Sequence, residues 1–149
     1  MKGYREIALL DLEEALFNLS NNRYRPAVFF FQQFAEKSAK ALLEKIDPFH
    51  KLLKSHVIEL ILEAYDDAHK ISDLGDKARY LTSFYFNARY PGDNYSEITE
   101  GQANRAKLFA GELEDYFKAE LQAYEQAKNN TKLNVESLQK IDTQAQQKA

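Results

Sequence analysis

The stretch 23–46, RYRPAVFFFQQFAEKSAKALLEKI, limits the possible folds more than any other part of the chain. Its apolar residues Tyr24, Ala27, Val28, Phe31, Phe34, Ala35, Ala39, Leu42, Leu43 and Ile46 recur at the i, i+3, i+4, i+7 spacing of one helix face. At 1.5 Å per residue this helix is about 35 Å long. Phe29 and Phe30 widen the stripe, so near its start the helix should touch neighbours in more than one direction and be the central element. Opposite lie Gln32, Gln33, Glu36, Lys37, Lys40 and Glu44, which read as a solvated face carrying the i,i+4 pairs Glu36 to Lys40 and Lys40 to Glu44.

Similar periodicity on either side predicts an all-α, up-and-down bundle of about five helices. A first helix spans about 4–19, with Ala8, Leu9, Leu12, Ala15, Leu16 and Leu19 inward, and ends at Ser20, Asn21 and Asn22. Pro26 suits the first turn of the second helix, where its missing N–H is harmless, and Asp47 with Pro48 stops that helix. Ser55 is the expected N-cap of a third helix burying Val57, Leu60, Ile61, Ala64, Tyr65 and Ala68. After a linker over 71–75, a fourth helix over 76–88 turns Ala78, Leu81, Phe84, Tyr85 and Ala88 inward, until Pro91 and Gly92 end it. Thr99 and Gln102 form a T-x-x-Q capping box for a fifth helix, lined by Ala103, Ala106, Ala110, Leu113, Phe117, Leu121 and Tyr124. The bundle is expected over 1–128, with 129–149 a polar tail that is partly helical or disordered.

Composition narrows the chemistry. Cys is absent, which excludes disulfides, a thiol nucleophile and Cys-based metal sites, and fits a cytoplasmic protein. No apolar run approaches the ~18 residues of a membrane span, and the acidic N-terminal stretch is unlike a signal peptide. A net charge of −3 argues against duplex DNA as a partner. The three histidines, His50, His56 and His69, have no i,i+4 pair, so no metal site or cofactor is expected.

Three stretches resemble one family. The run QQFAEKSAKALLEK over 32–45 resembles the central helix of HEPN domains, whose pattern there reads Q-x-x-E-K-x-x-K-A-L-L. HVIELI over 56–61 resembles the H-x-L-x-x-L motif of the third helix, with Ile58 in place of its Leu. FNARYPGD over 86–93 resembles the A-R-Y-P-G/D exit from the fourth helix of one large HEPN group, small prokaryotic proteins that partner minimal nucleotidyltransferases. The resemblance covers about 5–128.

HEPN ribonucleases carry an R-x(4 to 6)-H motif, in which Arg holds the phosphate and His moves protons during attack by the ribose 2′-hydroxyl. Here Arg89 takes the Arg place, but no His follows it at that distance, nor any other Arg in the chain. Asn94 can hydrogen-bond a phosphate or ribose but cannot act as a base near neutral pH. What remains is a cation beside Tyr90 and Tyr95, able to bind phosphate and stack or hydrogen-bond a base. Alternatively, Arg89 pairs with a carboxylate such as Glu36 and staples the turn. Lys37, Lys40, Arg79 and His56 complete the candidate nucleotide or RNA site; His56 is also a helix-start residue of ordinary local role.

The resemblance implies a non-catalytic HEPN protein that binds nucleotide or RNA and serves a separately encoded minimal nucleotidyltransferase, as in toxin–antitoxin pairs. A ribonuclease toxin with a non-standard base, and a ligand-free helical interaction module, are the competing readings. A two-fold homodimer is also expected, because Phe29, Phe30, Phe86, Phe109 and Tyr116 exceed what one bundle seam requires; the competing explanation is that they pack under the segment after Asn130 within one chain.

Overall fold

Helices account for all regular structure in the computed structural model, which describes residues 2–66, 68–87 and 97–148, and the side chains of these except 68–72, 86–87 and 144–148. The elements are α1 (Tyr4–Ser20), α2 (Tyr24–Ile46), a 3₁₀ turn (Lys51–Lys54), α3 (Ile58–Tyr65), α4 (Ala68–Thr82), α5 (Phe84–Asn87) and α6 (Glu100–Lys148). Two compact units divide the chain, 1–117 and 118–149. In the first, α1 packs along α2, α3 packs on α2 and α4, and α4 and α5 both reach α2. The second is the later part of α6, where Leu133, Val135, Leu138 and Ile141 are exposed. No helix among the described residues is long and apolar enough to cross a membrane.

The turn after α1 closes in a Schellman motif, with Arg23 N donating to Asn18 O at 2.9 Å and Asn22 N to Leu19 O at 3.0 Å. Asn22 stands at φ 59°, in the left-handed region that Asn tolerates better than most residues. α1 nevertheless turns inward a face rotated from the expected one, which keeps Ala8 and Ala15 inside as expected, leaves Leu12 and Leu19 half-buried and brings Leu9 and Leu16 out. Ala8, Asp11, Ala15 and Asn18 are buried, while Leu9, Leu10, Leu16 and Phe17 are exposed. Two small residues one above the other let α1 approach α2 closely, and polar bonds hold the rotation. Lys37 Nζ donates to Asp11 Oδ2 at 2.5 Å, and Arg5 reaches Ser38 Oγ at 3.0 Å and Glu114 at 2.7 to 2.8 Å.

α2 is central, as its sequence predicts, and is more deeply enclosed than predicted. Besides Phe31, Phe34, Leu42 and Leu43 it buries Gln32, Glu36, Ser38 and Lys40. The face expected to be solvated is therefore partly interior, because α1, α3, α4 and α5 all pack on this one helix. Ile46, expected inward, is exposed at its end.

The third helix starts at Ile58, and its first N–H is capped from another helix: Ile58 N donates to Thr82 Oγ1 at 3.0 Å, and Thr82 Oγ1 donates to Glu59 Oε2 at 2.8 Å. Ser55 instead accepts from Val57 N in the preceding turn. The linker expected over 71–75 lies inside α4, which begins at Ala68. Neighbouring helix formers carry Gly75 through, since one glycine costs a helix only about 1 kcal/mol. The expected fourth helix is realised as α4 and α5, divided at Ser83, whose Oγ donates back to Tyr80 O at 2.6 Å. The Thr99 and Gln102 capping box forms in both directions, Thr99 N to Gln102 Oε1 at 2.9 Å and Gln102 N to Thr99 Oγ1 at 3.1 Å. From it α6 buries Ala103, Ala106, Ala110, Leu113 and Phe117 in the first unit.

Two of the aromatics that suggested an excess are partnered within the chain. Phe109 meets the Tyr80 ring at 5.3 Å and Tyr116 meets Phe117 at 6.0 Å. Phe29 and Phe30 are half-buried and touch edge to face, while the Phe86 side chain lies outside the described residues. Tyr80 also lies 5.8 Å from Arg105 and donates to Gln102 O at 3.2 Å. Burial raises the Tyr80 phenol above its ordinary pKa, and the Arg105 charge partly offsets that rise.

Candidate functional site

Gln32, Glu36 and Lys40 repeat every four residues, so α2 aligns them along one line of its surface. They form a buried polar ladder. Gln32 Nε2 donates to Glu36 Oε1 at 3.0 Å, Lys40 Nζ to Glu36 Oε2 at 3.1 Å, and Gln33 Nε2 to Gln32 Oε1 at 2.7 Å. The carboxylate of Glu36 is only 5% exposed, and an ion pair so enclosed is retained against a substantial desolvation penalty.

The ladder meets solvent most openly at His56. His56 Nδ1 lies 3.0 Å from Glu36 Oε1, and its ring stacks on Tyr85 at 4.1 Å with 12° between the planes. Its side chain is 45% exposed, so Glu36 grips it from inside while its outer part faces water. When the Glu36 carboxylate is ionised it has no proton to give, and Nδ1 is the nitrogen that carries the hydrogen and donates. Nε2 is then the nitrogen available to another group: it accepts from a hydroxyl when the ring is neutral and donates to a phosphate when the ring is charged. The turn before α3 and the Thr82 cap on Ile58 set where His56 sits.

A family comparison supplies the context for this geometry. The family model of the HEPN domain matches residues 1–121. The chain belongs to the HEPN family. Among solved structures, the crystal structure of an archaeal HEPN homologue is similar, with a TM-score of 0.62 and 28% identity over 80% of this chain and 98% of the other. A search of curated proteins gives no match.

Within the HEPN bundle, the residues singled out from sequence separate into three groups. His56 and Lys40 are brought together by Glu36. Lys37 and Arg79 are not part of that cluster: Lys37 is held by Asp11, and Arg79 pairs at the surface with Asp76 at 2.7 Å. Arg89, Tyr90, Asn94 and Tyr95 lie outside the described residues, two to eight positions after the end of α5. Tyr85, which stacks on His56, precedes Arg89 by four residues in sequence.

Sequence reasoning missed Gln32 and Tyr85 as members of the cluster, and read Glu36 as a surface residue or a staple for Arg89. One signal was present. Phe29, Phe30 and Phe31 in succession leave no polar side at the start of α2, which implies that the side chains one turn further on are also enclosed.

Proposed function

We propose that this HEPN protein is non-catalytic, binds nucleotide or RNA, and acts as a two-fold homodimeric accessory subunit of a separately encoded minimal nucleotidyltransferase, in the manner of toxin–antitoxin pairs. The observation that carries the binding reading is the contact of Glu36 with His56: an enclosed Glu36 and Lys40 ion pair that holds a half-exposed imidazole. Folding alone does not require such a pair, since apolar side chains of similar volume stabilise a bundle equally well. Arg89, close in sequence to Tyr85, supplies the phosphate-binding cation of this reading.

Addition of ATP or GTP is expected to raise the melting temperature by mass action, and Arg89→Ala to abolish the rise. Losing one charge-assisted contact should weaken binding by about 1.5 to 3 kcal/mol. Calorimetry that records no heat at millimolar nucleotide would leave the ligand-free interaction module as the better description.

The Glu36 and His56 geometry also favours a second reading. A carboxylate that holds Nδ1 and leaves Nε2 open is an arrangement able to accept a proton from a 2′-hydroxyl. The missing His after Arg89 weighs the other way, so purified protein is expected to leave tRNA and mRNA pools uncleaved. Cleavage that disappears in His56→Ala and Arg89→Ala would establish the ribonuclease reading in its place.

A further inference from the structure

The turn between α2 and α3 carries a feature that the ladder does not use. Phe49 is 93% exposed, the most exposed of the large apolar side chains among the described residues. An aromatic ring left almost wholly in water has no stabilising role in the fold. The backbone beneath it is nevertheless pinned. Phe49 N donates to Asp47 Oδ1 at 3.0 Å, His50 N to Asp47 O at 3.2 Å, Leu52 N to His50 Nδ1 at 3.0 Å and Leu53 N to His50 O at 3.1 Å. Pro48 adds a fixed φ immediately before the ring. The ring is therefore presented on a pre-ordered turn, and a ligand that stacks on it avoids most of the entropy of ordering a loop.

Lys51 and Lys54 follow on the same turn, both exposed. Neither is drawn into an ion pair with another described residue, unlike Lys37, Lys40 and Lys77, which are held by Asp11, Glu36 and Glu112. An isolated aromatic face flanked by uncommitted cations matches a single-stranded nucleic acid, whose bases stack and whose phosphates carry the charge. A protein partner would require a broader apolar cluster, whereas Ile46 is the one other exposed large apolar residue among the described residues within ten positions of Phe49 in sequence. Glu36 and Ile46 are ten residues apart on α2, about 15 Å, which a stacked strand of about five nucleotides spans.

We infer that Phe49, Lys51 and Lys54 form a second contact for single-stranded RNA, with one base stacked on Phe49 and neighbouring phosphates on the lysines. This rests on the reading of the chain as a nucleotide- or RNA-binding protein. It implies that a strand long enough to reach both places binds more tightly than a mononucleotide.

The test is fluorescence anisotropy with a labelled ten-nucleotide oligoadenylate RNA, beside the melting-temperature rise with ATP. Phe49→Ala is expected to weaken RNA binding about tenfold or more, and Phe49→Tyr to restore it, because the ring and not its identity is needed. Lys51→Gln with Lys54→Gln should reduce the slope of log K against log salt by about 1.4, two phosphates at about 0.7 each for single strands. Neither change should alter the ATP response. Since Phe49 is outside the core, Phe49→Ala should melt like the parent, so lost binding cannot be assigned to unfolding.

RNA binding that is unchanged in Phe49→Ala, or that polyglutamate of equal charge displaces as effectively as unlabelled RNA, would overturn the inference. If ATP binds through Arg89 but RNA ignores Phe49, the nucleotide reading survives and this contact falls. If RNA requires Phe49 while ATP has no effect, the contact stands and the Arg89 site falls. Absence of both responses removes both.

Discussion

Replacing Glu36 by alanine is expected to lower the unfolding free energy by about 3 to 5 kcal/mol, because it removes one partner of an enclosed ion pair and leaves the other without compensation. For a chain of this size that corresponds to a fall in melting temperature of roughly 10 °C. The cost does not come from one bond. Glu36 accepts from Gln32, Lys40 and His56 together, so its loss strands a buried ammonium and a buried amide at once. His56→Ala should cost far less, since a half-exposed ring leaves behind only one vacated site on the carboxylate. The informative variant is the double replacement Glu36→Leu with Lys40→Met, which removes both charges and keeps the volume. It should recover more than half of the lost stability, the remainder being the amide of Gln32. Urea unfolding of the three variants separates the cases. A Glu36→Ala change costing less than about 1 kcal/mol would mean that water reaches the ladder and that the pair is an ordinary surface contact.

That ladder marks the limit of what periodicity reveals. Apolar spacing placed α2 at the centre, and eight of the ten positions on its predicted stripe are fully buried: Ala27, Val28, Phe31, Phe34, Ala35, Ala39, Leu42 and Leu43. The same spacing treats every polar residue on the other side as solvated. It carries no information about how many neighbours a helix has, and α2 has enough of them to enclose Gln32, Glu36 and Lys40. His56 was legible as a candidate from its place beside the third helix, but its partner was not, because twenty residues separate it from Glu36.

Helix α1 and the start of α4 diverge for different reasons. In α1 two leucine pairs compete with an Ala, Asp, Ala, Asn face, and side-chain size alone favours the leucines. Close approach and the Lys37 to Asp11 bond favour the small face, and the whole helix turns with it. In α4 the run from Ile71 to Gly75 contains residues of turn chemistry, yet helical residues on both sides propagate through it. The capping box at Thr99 was legible because its chemistry is local: both hydrogen bonds lie within four residues. Arg89 and its neighbours, the most specific part of the family resemblance, lie outside the described residues, so the phosphate half of the site rests on sequence.

Phe34→Ala should be about as damaging as Glu36→Ala, by an unrelated mechanism. Phe34 is fully buried on α2, and its ring meets the equally buried Phe117 of α6 edge to face at 6.0 Å and 79°. Truncation removes the transfer free energy of the ring and leaves a cavity between helices far apart in sequence, together about 3 to 5 kcal/mol. Because α1 to α5 pack around α2 while Phe117 belongs to α6, the loss falls on the contact that ties the early part of α6 to the bundle. Phe17→Ala is the matched control: the same atoms are deleted from a ring on the exposed face of α1, and the change should stay within about 0.5 kcal/mol. If Phe17→Ala instead costs a substantial fraction of what Phe34→Ala costs, the outer face of α1 is covered in solution, as a dimer that buries α1 would require. Unfolding midpoints that rise with protein concentration in the parent, but not in Phe17→Ala, would then identify that interface directly.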